Sequence, residues 1–195
     1  EDHGSDTSFF LIDHMTNEIP ATINSRCKTF TFKKLSIENI KILLNKNKII
    51  SPEEQNSYSI LANGSLGEAL NLYKFKALDI HKTYCNFILG KKNLKTIQEL
   101  FKRKDINIFN ISFLILFRLL SLTLKEINGI KKIEKLNALE EEVIMNLEKV
   151  LNENEVFNLI DILNRKKNIT SILNLDIFTS VLLFLNNLKE NLKKD

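Results

Sequence analysis

The residues best equipped for chemistry stand in one short string, Ser25-Arg26-Cys27, which follows Pro20-Ala21-Thr22-Ile23. A guanidinium stays charged at any working pH and presents a planar fork of donors that fits carboxylates and phosphates. Taken alone, an arginine at a helix end is most often a surface residue or a carboxylate partner, and phosphate contact is the rarer use. Ser25 and Cys27 suit the setting of the backbone and packing, because a reactive thiol needs an accompanying base and none is identifiable for Cys27.

Four other groupings invite a chemical reading. His81 and Cys85 are four apart on an expected helix, a spacing that can put both on one metal, but zinc sites take three or four protein ligands and no second pair is near. Glu140, Glu141 and Glu142 supply carboxylates without an apolar pocket signal, which fits a solvated helix face better than acid–base work. Gly64 and Gly67 suggest a nucleotide loop, yet no strand precedes them and no lysine follows, so a capped helix is sufficient. Phenylalanines interleave with lysines around Phe30 to Lys34, as do aromatics around Tyr73 to Lys76. At that spacing they fit core aromatics with exposed neighbours rather than base-stacking platforms. No G-x-x-x-x-G-K-[ST] phosphate loop occurs, and no acidic strand-end pair of the Mg²⁺-holding kind is visible.

The elements that must position these groups change character at Leu35. Before it, Ser8-Phe9-Phe10-Leu11-Ile12 reads as a buried strand, Ile19-Pro20-Ala21-Thr22-Ile23 as a short helix opened by proline, and Thr29-Phe30-Thr31-Phe32 as a second strand. Such a β-α-β remnant lacks a sheet, so the chain is expected to begin inside a larger α/β domain. After Leu35, Ser36, Ser51 and Ser65 are expected to cap three helices, with Pro52 at a first helical position and Glu54 and Glu68 as capping-box partners. From Asp79 onward four to six further helices are expected, broken near Gly90–Asn93, Lys104–Asn110, Asn128–Lys132, Asn152–Asn154 and Lys166–Thr170. Leu136, Leu139, Val143, Leu147, Val150 and Leu151 form one apolar stripe. Leu175, Phe178, Leu182, Leu185, Leu188 and Leu192 form another, with Asn174 as its cap.

Bulk composition agrees with a mainly α fold. The 195 residues are 44% hydrophobic and 27% charged, and hold only five Gly and two Pro, too few punctuators for a chain of many turns. Two distant cysteines and no signal-peptide pattern imply no disulfide framework, and a cytoplasmic location is the expectation. The most apolar stretch, Ile111 to Leu124, is interrupted by Ser112, Arg118, Ser121 and Thr123 and reads as a buried core helix, short of the roughly 20 apolar residues a span requires. The net charge of +4 is spread over scattered lysine pairs and does not choose a partner.

The string FFLIDHMTNEIPATINSRCKTFTFKKL resembles the sensor-1 strand, connecting loop and SRC motif of clamp-loader AAA+ subunits, most of all the delta-prime family of bacterial DNA polymerase III. The stretch Asn63-Gly64-Ser65-Leu66-Gly67-Glu68-Ala69-Leu70 is similar to the opening of the sensor-2 helix, and the Asn174-Leu175-Asp176 helix start looks like that of the final collar helix. The resemblance implies three parts: residues 1–33 as the C-terminal remnant of an AAA+ α/β base domain, 34–78 as a three-helix lid, and 79–195 as a helical collar. It also implies a role for Arg26 as an arginine finger acting in trans on ATP and Mg bound by a neighbouring subunit, with Pro20, Thr22, Ser25 and Cys27 completing the motif. Where active members carry an arginine this chain has Gly67, and where they carry Thr or Asn at sensor 1 it has Asp13-His14, so no ATP turnover of its own is implied. The implied partners are gamma/tau and delta subunits in a hetero-pentamer, with the sliding clamp and primer-template DNA reached through the complex, and no cofactor or membrane for this chain. A gamma/tau-type ATPase fragment and a helical interaction module without a nucleotide role remain the alternatives.

Overall fold

The computed structural model describes residues 8–12, 19–102, 105–130, 134–173 and 177–192, with the side chains of residues 47, 166–173 and 177–178 left aside. Two units divide the chain, Glu1–Lys33 and Lys34–Asp195. Asp13-His14 and the Asn174-Leu175-Asp176 helix start lie outside the described residues.

In the first unit a single turn of helix, α1 (Ala21–Asn24), follows Pro20. Among the described residues no strand forms, which corrects the two strands expected over residues 8–12 and 29–32. A strand exists by virtue of the ladder bonds a neighbour supplies. The expected burial is absent as well: Phe10 is 93% exposed and Phe32 95%. The apolar residue types that suggested a buried sheet here face solvent.

The second unit is all helical among its described residues. Its helices are α2 (Ile37–Asn47), α3 (Pro52–Leu61), α4 (Leu66–Lys74), α5 (Ala77–Ile88), α6 (Leu94–Leu100), α7 (Ile106–Ile127), α8 (Ala138–Val150), α9 (Glu153–Leu173) and α10 (Ile177–Asn191). Starts are set by short polar side chains. Ser36 Oγ accepts from Asn39 N at 3.2 Å and Ser65 Oγ from Glu68 N at 3.2 Å, each satisfying an amide that the first turn leaves orphaned. At α3 Ser51 instead donates its hydroxyl to the Glu54 carboxylate at 2.9 Å. At α9 Asn152 and Glu155 exchange two hydrogen bonds of 3.0 Å, a reciprocal box absent from the sequence expectation.

The turn between α3 and α4 requires its glycine. Gly64 sits at φ +93°, and a Cβ there would come within 2.5 Å of Lys34 Cβ, while its carbonyl accepts from Leu35 N at 2.9 Å. α2, α3 and α4 pack together around Ile40, Leu44, Tyr58 and Leu72, with Tyr58 and Tyr73 edge to face at 5.5 Å. α5 begins at Ala77 and packs on α4 as well as on α6, α7 and α8.

α7 is the central helix, packed against α5, α8 and α9. At 22 residues, with a mean hydropathy of 1.8 over an 18-residue window, it is long and apolar enough by length and composition to cross a membrane, so the expected shortfall in length does not hold. Its packing is that of a core helix, with Phe109, Ile115, Leu116, Leu119 and Leu120 buried. The helix break expected at Lys166–Thr170 is absent, because α9 runs unbroken to Leu173.

Candidate functional site

The SRC segment forms the turn that leaves α1. Ser25 N bonds Ala21 O at 3.0 Å, Arg26 N bonds Ile23 O at 3.0 Å and Cys27 N bonds Asn24 O at 3.4 Å, so the helical winding persists through the motif. Ser25 Oγ donates to Thr22 O at 3.3 Å, a local bond that shapes the turn. Pro20, Thr22, Ser25, Arg26 and Cys27 are all exposed. Among the described residues the Arg26 guanidinium has no hydrogen-bond or ion-pair partner. Cys27 is a free thiol, and its neighbour Lys28 places Nζ 5.3 Å from the Phe30 ring centre.

A second constellation is buried where α5, α7 and α8 meet. Glu140, fully enclosed, accepts from Arg118 Nε at 2.8 Å, from Arg118 Nη2 at 3.1 Å and from Leu136 N at 2.7 Å. His81 Nε2 lies 3.2 Å from its Oε1. A carboxylate can only accept, so His81 carries its proton on Nε2 toward Glu140. Arg118 reaches further and donates from Nη2 to Glu134 O at 2.7 Å. Local sequence sets the approach: Asn137 Oδ1 caps α8 by accepting from Glu140 N at 2.9 Å, which fixes the first turn on which Glu140 sits.

The sequence reading assigned Glu140 to a solvated face, and the structure corrects it. Glu141 and Glu142 do face solvent, where they meet Lys135 at 3.1 Å and Lys91 at 2.7 Å. Glu140 points the opposite way because its carboxylate has four donors to receive it, and burial of a charge is tolerated only when it is paired and hydrogen-bonded. Burial alone raises its pKa, but hydrogen bonds from His81 and Arg118, the Arg118 charge and the Leu136 amide outweigh this and hold it at about 2, below its ordinary 4.5.

Cys85 adds a thiol to this cluster, with Sγ 3.5 Å from His81 Nε2 and 3.8 Å from Nδ1. A Cys-His-Glu nucleophile would need thiol and carboxylate on opposite ring nitrogens. Here sulfur stands at nearly equal distance from both ring nitrogens, and Nε2, the nearer one, is the nitrogen that meets Glu140. Burial, with the Glu140 charge adding to it, pushes the Cys85 thiol up to about 12, so it remains protonated and unreactive. Among the described residues no group of three or more His, Cys, Asp or Glu is arranged to hold a metal ion. At Glu140 a divalent ion would have to displace the Arg118 guanidinium.

Gly67 is the second residue of α4, exposed, with only Ser65 Oγ, at 3.9 Å, near where a Cβ would be, and Gly64 belongs to the turn before it. Sequence reasoning thus located the exposed arginine and missed the paired one. The available signals were Asn137 three residues before Glu140 and Arg118 as a lone charge in an apolar run; their pairing with His81, 59 residues before Glu140, is tertiary. No protein-family model, no curated protein and no solved structure matches the chain.

Proposed function

We propose that the chain is a non-catalytic subunit of a clamp loader, of the delta-prime type found with bacterial DNA polymerase III, in which Arg26 completes an ATP site on a neighbouring gamma/tau-type subunit. The observation that carries this reading is an exposed guanidinium, without a partner of its own among the described residues, at the end of a Pro-Ala-Thr-Ile-Asn-Ser-Arg-Cys turn. An unpaired guanidinium has no internal salt bridge to break before it meets a phosphate. Opposite a γ-phosphoryl group it stabilises the negative charge that develops on transfer, and a finger supplied in trans is worth roughly 10³ to 10⁵ in rate. Lysine would not replace it, since an ammonium lacks the planar fork.

In this reading residues 1–33 belong to an AAA+ base domain, residues 34–78 form the lid and residues 79–195 the collar that joins gamma/tau and delta subunits in a cytoplasmic pentamer. ATP and Mg belong to the neighbour, and the sliding clamp and primer-template DNA are engaged through the complex. Gly67 supports a non-hydrolysing role, because glycine offers no group to a phosphate at the position where active relatives of this type carry arginine. The bare apolar residues of the first unit, Phe10 and Phe32 among them, suit a segment that other parts of a base domain would cover.

The test is DNA-stimulated ATP hydrolysis by the complex reconstituted with gamma/tau and delta subunits. Arg26→Ala and Arg26→Lys should leave assembly intact and remove the share of turnover that belongs to the adjoining site. An unchanged rate in an intact complex would reject the finger. Failure of the wild-type chain to co-elute with gamma/tau would favour a helical interaction module without a nucleotide role.

A further inference from the structure

We propose that Asn63 is a self-modifying residue, whose side-chain amide is lost to attack by the Gly64 nitrogen and replaced by a carboxylate, while the chain's other Asn-Gly pair, Asn128-Gly129, is locked against the same reaction. Asparagine followed by glycine favours this chemistry because no Cβ crowds the attacking nitrogen or limits its rotation. Only these two pairs occur in the sequence. Alike in covalent structure, they differ in what holds them. At Asn128 the reacting groups are tied: Nδ2 donates to Leu124 O at 2.9 Å and to Glu153 Oε1 at 3.3 Å, and the Gly129 nitrogen donates to Glu126 O at 2.9 Å. Attack there would break these bonds.

At Asn63 the same groups are free. The residue is exposed, and among the described residues neither its side-chain amide, nor its carbonyl, nor the Gly64 nitrogen makes a hydrogen bond. The turn is left-handed, with Asn63 at φ +47° and Gly64 at φ +93°. Rotation about Asn63 ψ and Gly64 φ swings the peptide between them until its nitrogen faces Cγ, and no hydrogen bond is given up. The Gly64 nitrogen loses its proton to water or hydroxide and bonds to Asn63 Cγ. The Cγ–Nδ2 bond breaks and Nδ2 leaves as ammonia, closing a five-membered succinimide. Water then opens the ring. Cleavage at Cγ gives aspartate; cleavage at the main-chain carbonyl gives isoaspartate, which runs the backbone through Cγ and lengthens it by one carbon. That extra atom enters a turn on which two starts depend, since Gly64 O accepts from Leu35 N at 2.9 Å ahead of α2 and Ser65 caps α4. The inference is independent of the role given to Arg26.

The test incubates the full chain in mildly alkaline buffer, folded and in denaturant, and follows tryptic peptides 49–74 and 126–131 by mass spectrometry, which places each amide-to-acid change on its residue. Elution separates aspartate from isoaspartate. In the folded chain Asn63 should convert about tenfold or more faster than Asn128, the margin set by the hydrogen bonds that Asn128 and Gly129 must give up. In denaturant those bonds are gone, and the two rates should converge to within about threefold. Asn63→Gln, whose extra methylene disfavours ring closure, should abolish conversion at position 63 and leave Asn128 as it was. Equal rates in the folded chain overturn the proposal. So does a faster Asn128, and so does a folded Asn63 that stays intact while the denatured one reacts.

Discussion

Arg26 and Arg118 are the same residue type in opposite circumstances. Arg118 is anchored by both oxygens of an enclosed carboxylate and by a backbone carbonyl, in a unit whose core runs through α5, α7, α8 and α9. Arg26 stands in the turn that follows a single turn of helix, with no partner among the described residues, in a unit where large apolar side chains face solvent. The contrast teaches that side-chain identity does not assign a role: a guanidinium engaged through Nε and Nη2 holds helices together, while one left unspent is available to a ligand. It also separates two kinds of cost. Losing the anchored arginine's partner should damage folding, and losing the free arginine should damage only what that residue meets.

The sharpest way to break this comparison is Glu140→Ala. It strands Arg118 and His81 without their acceptor, and removing one member of a buried pair costs roughly 3–5 kcal/mol. Chemical denaturation should show that loss; a change as small as a surface mutation would mean that the cluster is not the anchor described. Next, truncation to alanine in the two units should have unequal effects. Leu116→Ala, in the centre of α7, should cost about 2–5 kcal/mol. Phe32→Ala should stay within about 0.5 kcal/mol, and a comparable loss there would show that the first unit has a core after all. The smallest effect is in the acid limb. Because Glu140 titrates lower in the folded chain than in the unfolded one, its contribution is present above about pH 4.5 and is lost as the pH falls toward about 2. Thermal melts across that window should fall more steeply for the wild type than for Glu140→Gln, and parallel slopes would remove Glu140 from the acid response.

Much of the second unit was legible in the sequence because its helices begin at Ser36, Ser51 and Ser65 and carry stripes at helical spacing, both of which are local signals. The first unit was misread for the complementary reason. Alternating and branched residues report a preference for strand, but a strand is completed by a neighbour that the local string does not contain. The Ser25-Arg26-Cys27 string was singled out in the sequence, and the structure leaves it exposed. Arg118, His81 and Glu140 were each noticed, yet as an interruption, a metal candidate and part of a solvated run, because contacts spanning 22 and 59 residues leave no mark on local periodicity. A break was expected near Lys166–Thr170, and α9 continues through it.

The amide of Leu136 points inward to Glu140. The step from Leu136 through the Asn137 cap to Glu140 is therefore a gauge as well as a link, since its spacing decides whether the carboxylate arrives facing Arg118. One residue inserted between Asn137 and Glu140 would turn that side chain by about 100° around the helix axis and aim it away from its donors. Elsewhere on the surface the chain can lengthen its loops at modest cost; here the spacing itself is held by the contacts it serves.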